Sequence, residues 1–384
     1  MAKRKLRFGM FGGGIGSFIG PVHRMAATLD NGAELVSGVF SSNPEKSIKS
    51  GKALFLNPAR VYTSHKEMIK KELLLPEGDR IDFAAIVTPN STHFETARDF
   101  LKAGIHVVCD KPMTMNLKQA KSLAQVVNDT GNVFALTHAY SGYPMVKQAK
   151  YMVEKGVLGK INKIVVEYPQ SWLSGLLRGD KSNLNAWRMD PSKAGASCCG
   201  GDIGTHAEHL VRYITGCEID VLCADLSAFI KSNPLDDDVN VLIHYKGGAR
   251  GILHASQIAS GEENGLNIRV YGHKKGLYWA QEDPNYLVIK DPSGFQTRLS
   301  KGNDILCKAA RDAARLPFGH PDGLIEAFAN IYRDAIQDMR AKKGQGKNQT
   351  RDYPTVNDGV IGMAFIDTIL ASAKSKSKWT PMKT

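Results

Sequence analysis

The sequence predicts an α/β protein in two parts: an N-terminal doubly wound parallel sheet, then a C-terminal α+β domain with a large, mostly antiparallel open sheet. Three observations lead there. Over the first 140 residues, short apolar runs alternate with amphipathic stretches, the pattern of a parallel sheet covered by helices on both faces. A glycine-rich turn joins the first apolar run to the first helical stretch. Beyond residue 219, strand-like runs follow one another without a helix between them, and such strands pair antiparallel.

In the first part, 6–11 (LRFGMF) is a strand ending at glycines and 15–29 is a helix. A strand at 34–40 and helices at 44–53 and 64–72 follow. The run 81–87 (IDFAAIV) reads as a buried strand and 92–103 as an amphipathic helix. A strand at 105–109, a helix at 116–128 and a strand at 133–137 complete this part, placed at 1–140. The second domain takes 141–384, with the C-terminal helix free to pack back on the first. It opens with a helix at 143–156, a long strand at 161–170 and a loop from about 171 to 200. A helix at 202–215 precedes strands at 219–230, 238–245, 249–258, 265–272, 276–280 and 284–290. Helices at 321–342 and 355–374 close the chain.

Composition narrows the class. With 384 residues, 42% hydrophobic and 23% charged, the chain is globular in make-up and large enough for a sizeable core. No uninterrupted apolar run reaches the roughly 18–20 residues that span a bilayer. The formal charge of +12 invites a nucleic-acid reading. Yet 13 basic groups sit at 1–7, 340–351 and 374–384, stretches with no acid, which leaves 37 basic and 38 acidic groups elsewhere. Solvated basic ends on a neutral body are expected, since a nucleic-acid surface needs its charge along one structured face. Cys109, Cys198, Cys199, Cys217, Cys223 and Cys307 form no CxxC pair and no zinc-ligand spacing. Reduced thiols in a cytoplasmic protein are expected, with no metal, nucleic-acid or membrane partner.

Gly12, Gly14 and Ser17 fit G-x-G-x-x-G/S between strand and helix. The first glycine allows the turn and the second lets backbone approach a pyrophosphate. The helix N-terminus offers free N–H groups to the phosphates. Ser17 stands where a third glycine serves close helix–strand packing, a role a small residue tolerates. This predicts a Rossmann dinucleotide site, with Gly12, Gly14 and Ile15 in the cradle. The carboxylate expected after the second strand is missing; Ser41, Ser42 and Lys46 stand there instead. Hydroxyls can bond a ribose and the lysine a 2′-phosphate, so NAD and NADP both remain open.

Further motifs sit at strand ends and at one helix start. Thr88-Pro89-Asn90 with His93 follows the third main strand, and Cys109-Asp110-Lys111-Pro112 the fourth. Gly200-Gly201-Asp202-Ile203-Gly204-Thr205-His206 opens a helix in the second domain. In this order the chain resembles the glucose–fructose oxidoreductase/inositol dehydrogenase (Gfo/Idh/MocA) family over nearly its whole length. It looks most like the levoglucosan and glucoside 3-dehydrogenase-type members, through 169–172, 186–188, 319–321 and 326–330. The resemblance implies an NAD(P)-dependent sugar, glycoside or cyclitol dehydrogenase that forms homodimers or homotetramers. The family's E-K-P is matched by Asp110-Lys111-Pro112, whose acid is one methylene shorter. Its lysine lies between nicotinamide and substrate. D-x-x-x-H is matched by Asp202 and His206; His209 stands where many relatives carry an acid.

Alcohol oxidation supports the carry-over. A hydride must leave carbon toward a ring held within about 3–3.5 Å, and a proton must leave oxygen for a base near the working pH. Free histidine titrates near 6.5, and a carboxylate one helical turn away can raise it. These requirements suggest His206 as proton acceptor, Lys111 as polariser of the reacting oxygen and proton relay, and Asp202 as orienter or hydroxyl ligand. Blander roles stand beside these: Lys111 as a solvated loop lysine, Asp202 as a helix cap, His206 as a core histidine, His209 as site or packing. Cofactor contacts are expected from Thr88, Pro89, Asn90, His93, Asp110, Lys111, Trp187 and Arg188, with His93 capping or packing near the cofactor loop. Tyr140, Gln170, Trp172, Asp202, His206 and His320 are expected to read the sugar, and Arg188 is a further candidate. Two other functions remain: a lyase or glycosidase that retains its cofactor through transient oxidation, and a non-catalytic sugar- and cofactor-sensing regulator.

Overall fold

The computed structural model describes residues 4–184, 186–345 and 352–384. Lys3, Lys347 and Arg351, counted above among the basic ends, lie outside these. The chain divides into two compact units. The first comprises Met1–Thr114, Lys118–Ala139 and Ile325–Gly359; the second, Met115–Leu117, Tyr140–Leu324 and Val360–Thr384.

In the first unit, β1 (Leu6–Gly12), β2 (Ala33–Val39), β3 (Phe83–Val87), β4 (His106–Cys109) and β5 (Phe134–Leu136) form one parallel sheet. Its order is β2-β1-β3-β4-β5. All five residues of β3 are buried, as a strand covered on both faces requires. Phe8 and Phe83 pair in register and stack with ring centres 5.2 Å apart. A further strand is reduced to one parallel bridge, Gly38 to Val61. The chain leaves β1 toward β2 on one side and β3 on the other, so the carboxyl end of β1 is the topological switch point where such sheets bind ligands.

A cut at 140 would place 141–384 in the second domain, but the structure returns Ile325–Gly359 to the first unit. Helix Leu324–Lys342 explains it: Tyr332 bonds buried His23 (2.7 Å) and packs on Phe83, and Phe328 meets the His23 ring edge-on. The basic ends are also docked more than expected. Arg4 and Lys343 both bond the buried Asp82 carboxylate, at 2.7 and 2.5 Å, and Arg340 bonds the Arg4 carbonyl. Burial alone would raise the Asp82 pKa, but these bonds hold it below the usual carboxylate value. The solvated reading fails here because one buried acid offers the cations a partner.

The second unit holds β6 (Ile161–Pro169), β7 (Ile219–Ser227), β8 (Asp238–Tyr245), β9 (Arg250–Ser256), β10 (Asn267–Gly272), β11 (Gly276–Ala280), β12 (Tyr286–Lys290), β13 (Gln296–Ser300) and β14 (Thr380–Pro381). They form one sheet ordered β13-β12-β11-β10-β6-β9-β8-β7-β14, in which only β6 and β9 pair parallel. Alternate residues are buried, such as Ile164, Val166 and Tyr168 on β6 and Val239, Val241 and Ile243 on β8. Helices Pro144–Glu154 and Thr205–Thr215 belong to this unit. The sequence reading had no β13, β14 or helix Lys308–Ala313: β13 is a polar edge strand without a buried residue, and the other two are short.

The stretch read as a loop from 171 to 200 carries short helical turns and a small core of its own. Leu173, Met189, Ala194, Cys198, Ile230 and Leu235 pack there, with Trp172 and Trp187 against them. Helix Val356–Lys374 meets the length and composition of a membrane span, although no uninterrupted apolar run reaches that length. It carries Asp358 and Asp367, buries Ala364, Phe365 and Ile369, and its Ser372 hydroxyl accepts the Ala224 N–H of β7.

Candidate active site

The glycine turn leaves β1 with Gly12, Gly13 and Gly16 at φ of 90°, 72° and 84°, where side chains are strained. A Cβ on Gly14 would stand 2.7 Å from both the Phe40 carbonyl oxygen and the Ser50 hydroxyl. The turn is tied to neighbouring elements by three bonds. Gly14 N–H donates to the Phe40 carbonyl, Ile15 N–H to Ser50 Oγ, and Arg24 to the Gly13 carbonyl (2.7 Å). The helix begins at Ile19, not 15, because residues 15–18 form the turn. Close packing falls to Gly20, where a Cβ would meet the Gly13 oxygen at 2.3 Å. Ser17 instead accepts the Gly20 N–H. This corrects the role expected of position 17. No acidic side chain occupies the first helical turn, and a Cβ on Gly16 would meet nothing within 4 Å. The residues present therefore fit a pyrophosphate: open space at Gly16, a helix N-terminus behind it and no competing anion in the first turn.

Beside the turn, Ser42 and Lys46 are exposed, while Ser41 accepts the Asn43 N–H and Asn43 caps helix Pro44–Ala53. At the end of β3, the Thr88 and Thr92 hydroxyls bond at 2.6 Å, and Asn90 is buried. His93 is wholly buried, with its ring nitrogens 2.8 Å from the Thr88 and 3.0 Å from the Pro112 carbonyl oxygens. Burial lowers its pKa, opposed by nearby Asp110. His93 thus packs between two turns and presents no free ring face. At the end of β4, Asp110 Oδ1 accepts the Lys111 N–H and the Thr137 hydroxyl, both at 2.9 Å. The Lys111–Pro112 peptide is cis.

In the second unit, Asp202 and His206 are four residues apart, as read, but the helix between them is not uniform. Gly200–Gly204 forms a wide π turn before the α-helix Thr205–Thr215, a form often found at functional sites. Asp236 pins its start, accepting the N–H groups of Cys198 (3.1 Å) and Gly200 (2.7 Å) and the Ser197 hydroxyl (3.0 Å). Cys199 and Gly204, the residues before the π turn and the α-helix, make no side-chain cap bond, and Asp202 lies inside the π turn, not at a cap position. Its Oδ2 accepts Gln257 Nε2 at 3.0 Å and lies 3.1 Å from Arg188 Nε. The Arg188 guanidinium sits 4.7 Å from the Trp187 ring centre and 6.0 Å from that of Trp172. Buried Cys198 donates to Gln257, and burial pushes its thiol pKa up.

His206 is buried beneath aromatic rings, its ring centre 4.8 Å from that of Tyr140 and 6.3 Å from that of Tyr168. The two tyrosine hydroxyls bond each other. Asn264 Oδ1 then accepts from both Tyr168 (2.8 Å) and Gln170 (2.7 Å). Burial pushes both tyrosine pKa values up, so they act as neutral hydroxyls. Asn264 and Tyr143 also line a cavity of about 650 Å³ together with Lys301, Asp322 and His320. His209 is buried and stacks on Tyr213.

The structure thus groups Asp202 with Arg188, Trp172 and Trp187, and His206 with Tyr140 and, through Asn264, Gln170; Asp202 lies close enough to Tyr140 and Tyr168 for its charge to raise their pKa values further. Sequence reasoning missed Gln257, Asn264, Ser50 and Arg24. The first two are lone amides in strand-rich sequence; Ser50 and Arg24 are ordinary helix residues there. None carries a local signal. Among the described residues, His65, Glu95 and Asp99 bring possible metal-ligand atoms within 4.8 Å of one another, but Lys66 and Arg98 already pair with the two acids.

Residues 6–138 match the oxidoreductase family with an NAD-binding Rossmann fold, and 146–278 the GFO/IDH/MocA C-terminal domain. The chain is 31% identical to the uncharacterized oxidoreductase YfiI of Bacillus subtilis, over 99% of this chain and 98% of that protein. It is 26% identical to levoglucosan dehydrogenase of Pseudarthrobacter phenanthrenivorans, over 77% and 80%. An inositol dehydrogenase homolog from Azotobacter vinelandii, solved with NAD+, superposes with a TM-score of 0.93 at 32% identity, covering 98% of this chain and 97% of that one. The chain therefore belongs to the GFO/IDH/MocA family, as an NAD(P)-dependent oxidoreductase acting on CH–OH groups.

Proposed function

We propose that this enzyme oxidises a secondary hydroxyl of a sugar, glycoside or cyclitol, with Lys111 and His206 handling the proton. The observation that carries the reading is the set of neutral hydroxyls and amides grouped with His206: Tyr140, Tyr168, Asn264 and Gln170. Such groups suit the many hydroxyls of a polyol, and the aromatic rings suit its apolar faces. When bound, the nicotinamide accepts the hydride. The glycine turn and Thr88, Pro89 and Asn90 bind and orient the dinucleotide. The Lys111 ammonium bonds the reacting oxygen and stabilises its developing negative charge. His206 takes the hydroxyl proton, and the rings over it keep water away. Asp202, held by Gln257 and Arg188, bonds a neighbouring hydroxyl. Trp172 and His320 complete the substrate contacts, and Trp187 with Arg188 contributes to the cofactor side.

The test is turnover. Pure protein is incubated with NAD or NADP against a panel of sugars, glycosides and inositols, and absorbance of the reduced nicotinamide is read. A signal with at least one member, reduced about a hundredfold or more by Lys111→Ala and His206→Ala, is expected. Full activity in either variant overturns that residue's role. Product formation without net reduced cofactor overturns the dehydrogenase in favour of the retained-cofactor reading.

The protein is also proposed to be a cytoplasmic homodimer or homotetramer. On the outer sheet face, Cys223, Leu242, Ile252 and Val165 lie in one cross-strand row, with Leu242 50% and Ile252 37% exposed. A second copy of the sheet would cover that row. Light scattering that returns a monomer at micromolar concentration removes the proposal.

A further inference from the structure

His93 opens helix His93–Lys102 and reaches two turns at once. Its Nε2 lies 2.8 Å from the carbonyl oxygen of Thr88, at the end of β3. Its Nδ1 lies 3.0 Å from the carbonyl oxygen of Pro112, directly after Lys111. Carbonyl oxygens only accept, so the ring nitrogen that bonds must carry the proton, and a neutral ring donates to one of the two carbonyls. A side chain present only to fill this buried space would need no polar atoms, and leaving them there unbonded is costly.

On its other flank, the Lys111 N–H is held by Asp110, itself bonded to Thr137 just beyond β5. Because β4 lies between β3 and β5, the lysine turn is pinned from both neighbouring strands. Asp110–Thr137 supplies the pin on one side and His93 the pin on the other. We propose that His93 is the positioning residue of Lys111, fixing the turn through the bond from Nδ1 to the Pro112 carbonyl. This rests on the reading of Lys111 as the group that polarises the reacting oxygen.

Two amides separate the two ends of the ring. Asparagine places its NH2 near histidine Nδ1 and glutamine near Nε2, so His93→Asn keeps a donor toward Pro112 and His93→Gln keeps one toward Thr88. Each variant offers one amide donor to one of the two carbonyls, so their melting temperatures should be similar. Lysines are reductively methylated with carbon-13, and the Lys111 signal, assigned by its absence in Lys111→Ala, is followed with pH by NMR without substrate. The expected result is a wild-type titration curve in His93→Asn and a displaced or broadened one in His93→Gln. With the active panel polyol, kcat should fall about tenfold or more in His93→Gln with KM for the cofactor nearly constant, and His93→Asn should recover most of it. Equal behaviour of the two variants overturns the proposal.

Nitrogen-15 NMR of the unmodified wild-type ring gives a test that needs no variant to fold: a proton on Nδ1 is expected, and a bare Nδ1 between pH 6 and 8 refutes the bond. If Lys111→Ala keeps full turnover, the reading of Lys111 fails. If that variant is inactive while Asn and Gln at 93 behave alike, only the role of His93 fails.

Discussion

At the scale of single residues, the glycine turn separates two kinds of constraint. Gly20 is constrained by space, because a Cβ there would enter the Gly13 carbonyl at 2.3 Å. Gly16 is constrained by conformation alone, at φ 84° with open space around it. Gly16→Ala should therefore cost about 1–2 kcal/mol of stability. Gly20→Ala must displace the turn itself, so it should lose cofactor affinity at least tenfold and about 1–3 kcal/mol of stability. Melting curves and NADH fluorescence titration check both. Unchanged cofactor affinity in Gly20→Ala would mean that Gly20 does not hold the cradle. Lys111, Asp202 and His206 were legible because each sits in a short motif at an element end. Gln257 and Asn264 were not, because their partners Asp202 and Gln170 lie 55 and 94 residues away.

At the scale of elements, the segment 314–323 is held to the second unit by an ion pair that burial makes consequential. Lys301 and Asp322 lie 3.2 Å apart, each 2% exposed, and Lys301 also donates to the Leu316 carbonyl. Asn285 bonds the Asp322 backbone through both its N–H and its carbonyl. Lys301→Met leaves a buried carboxylate without its cation and should cost about 3–5 kcal/mol. The double change Lys301→Met with Asp322→Leu should recover a large part of that, since no charge is then stranded. Urea unfolding of the three proteins measures the difference; an additive double mutant would show that the two charges are not coupled. Among helices, periodicity located Leu324–Lys342 to within three residues at its start. It carried no sign of which unit the helix would join, because an amphipathic face fits any apolar surface of suitable shape.

At the scale of the whole molecule, stability should be sensitive to acid. Burial pushes His23 and His106 down to about 4, against about 6.5 in an unfolded chain. Between those values the unfolded chain binds protons that the native histidines refuse. Each group's contribution is thus fully present above about 6.5 and lost as pH falls toward about 4, at about 1.4 kcal/mol per pH unit. Asp82, held low by Arg4 and Lys343, extends the loss to lower pH. The melting temperature should fall steadily from pH 7 to 5, and His23→Gln should flatten the slope; a pH-independent midpoint over that range would contradict it.

What the sequence by itself determined is what local chemistry encodes. Alternating apolar and amphipathic runs specify a parallel sheet with helices, a glycine turn between strand and helix specifies a dinucleotide cradle, and period-two strands specify the second sheet. Only the tertiary structure decided that Gly20 rather than position 17 carries the close packing, and that Arg4 and Lys343 close on Asp82. It also decided that the helix before His206 widens into a π turn, and that His93 spans two strand ends. Each of these depends on groups distant in the chain meeting at hydrogen-bond or van der Waals distance, a geometry that no local periodicity records.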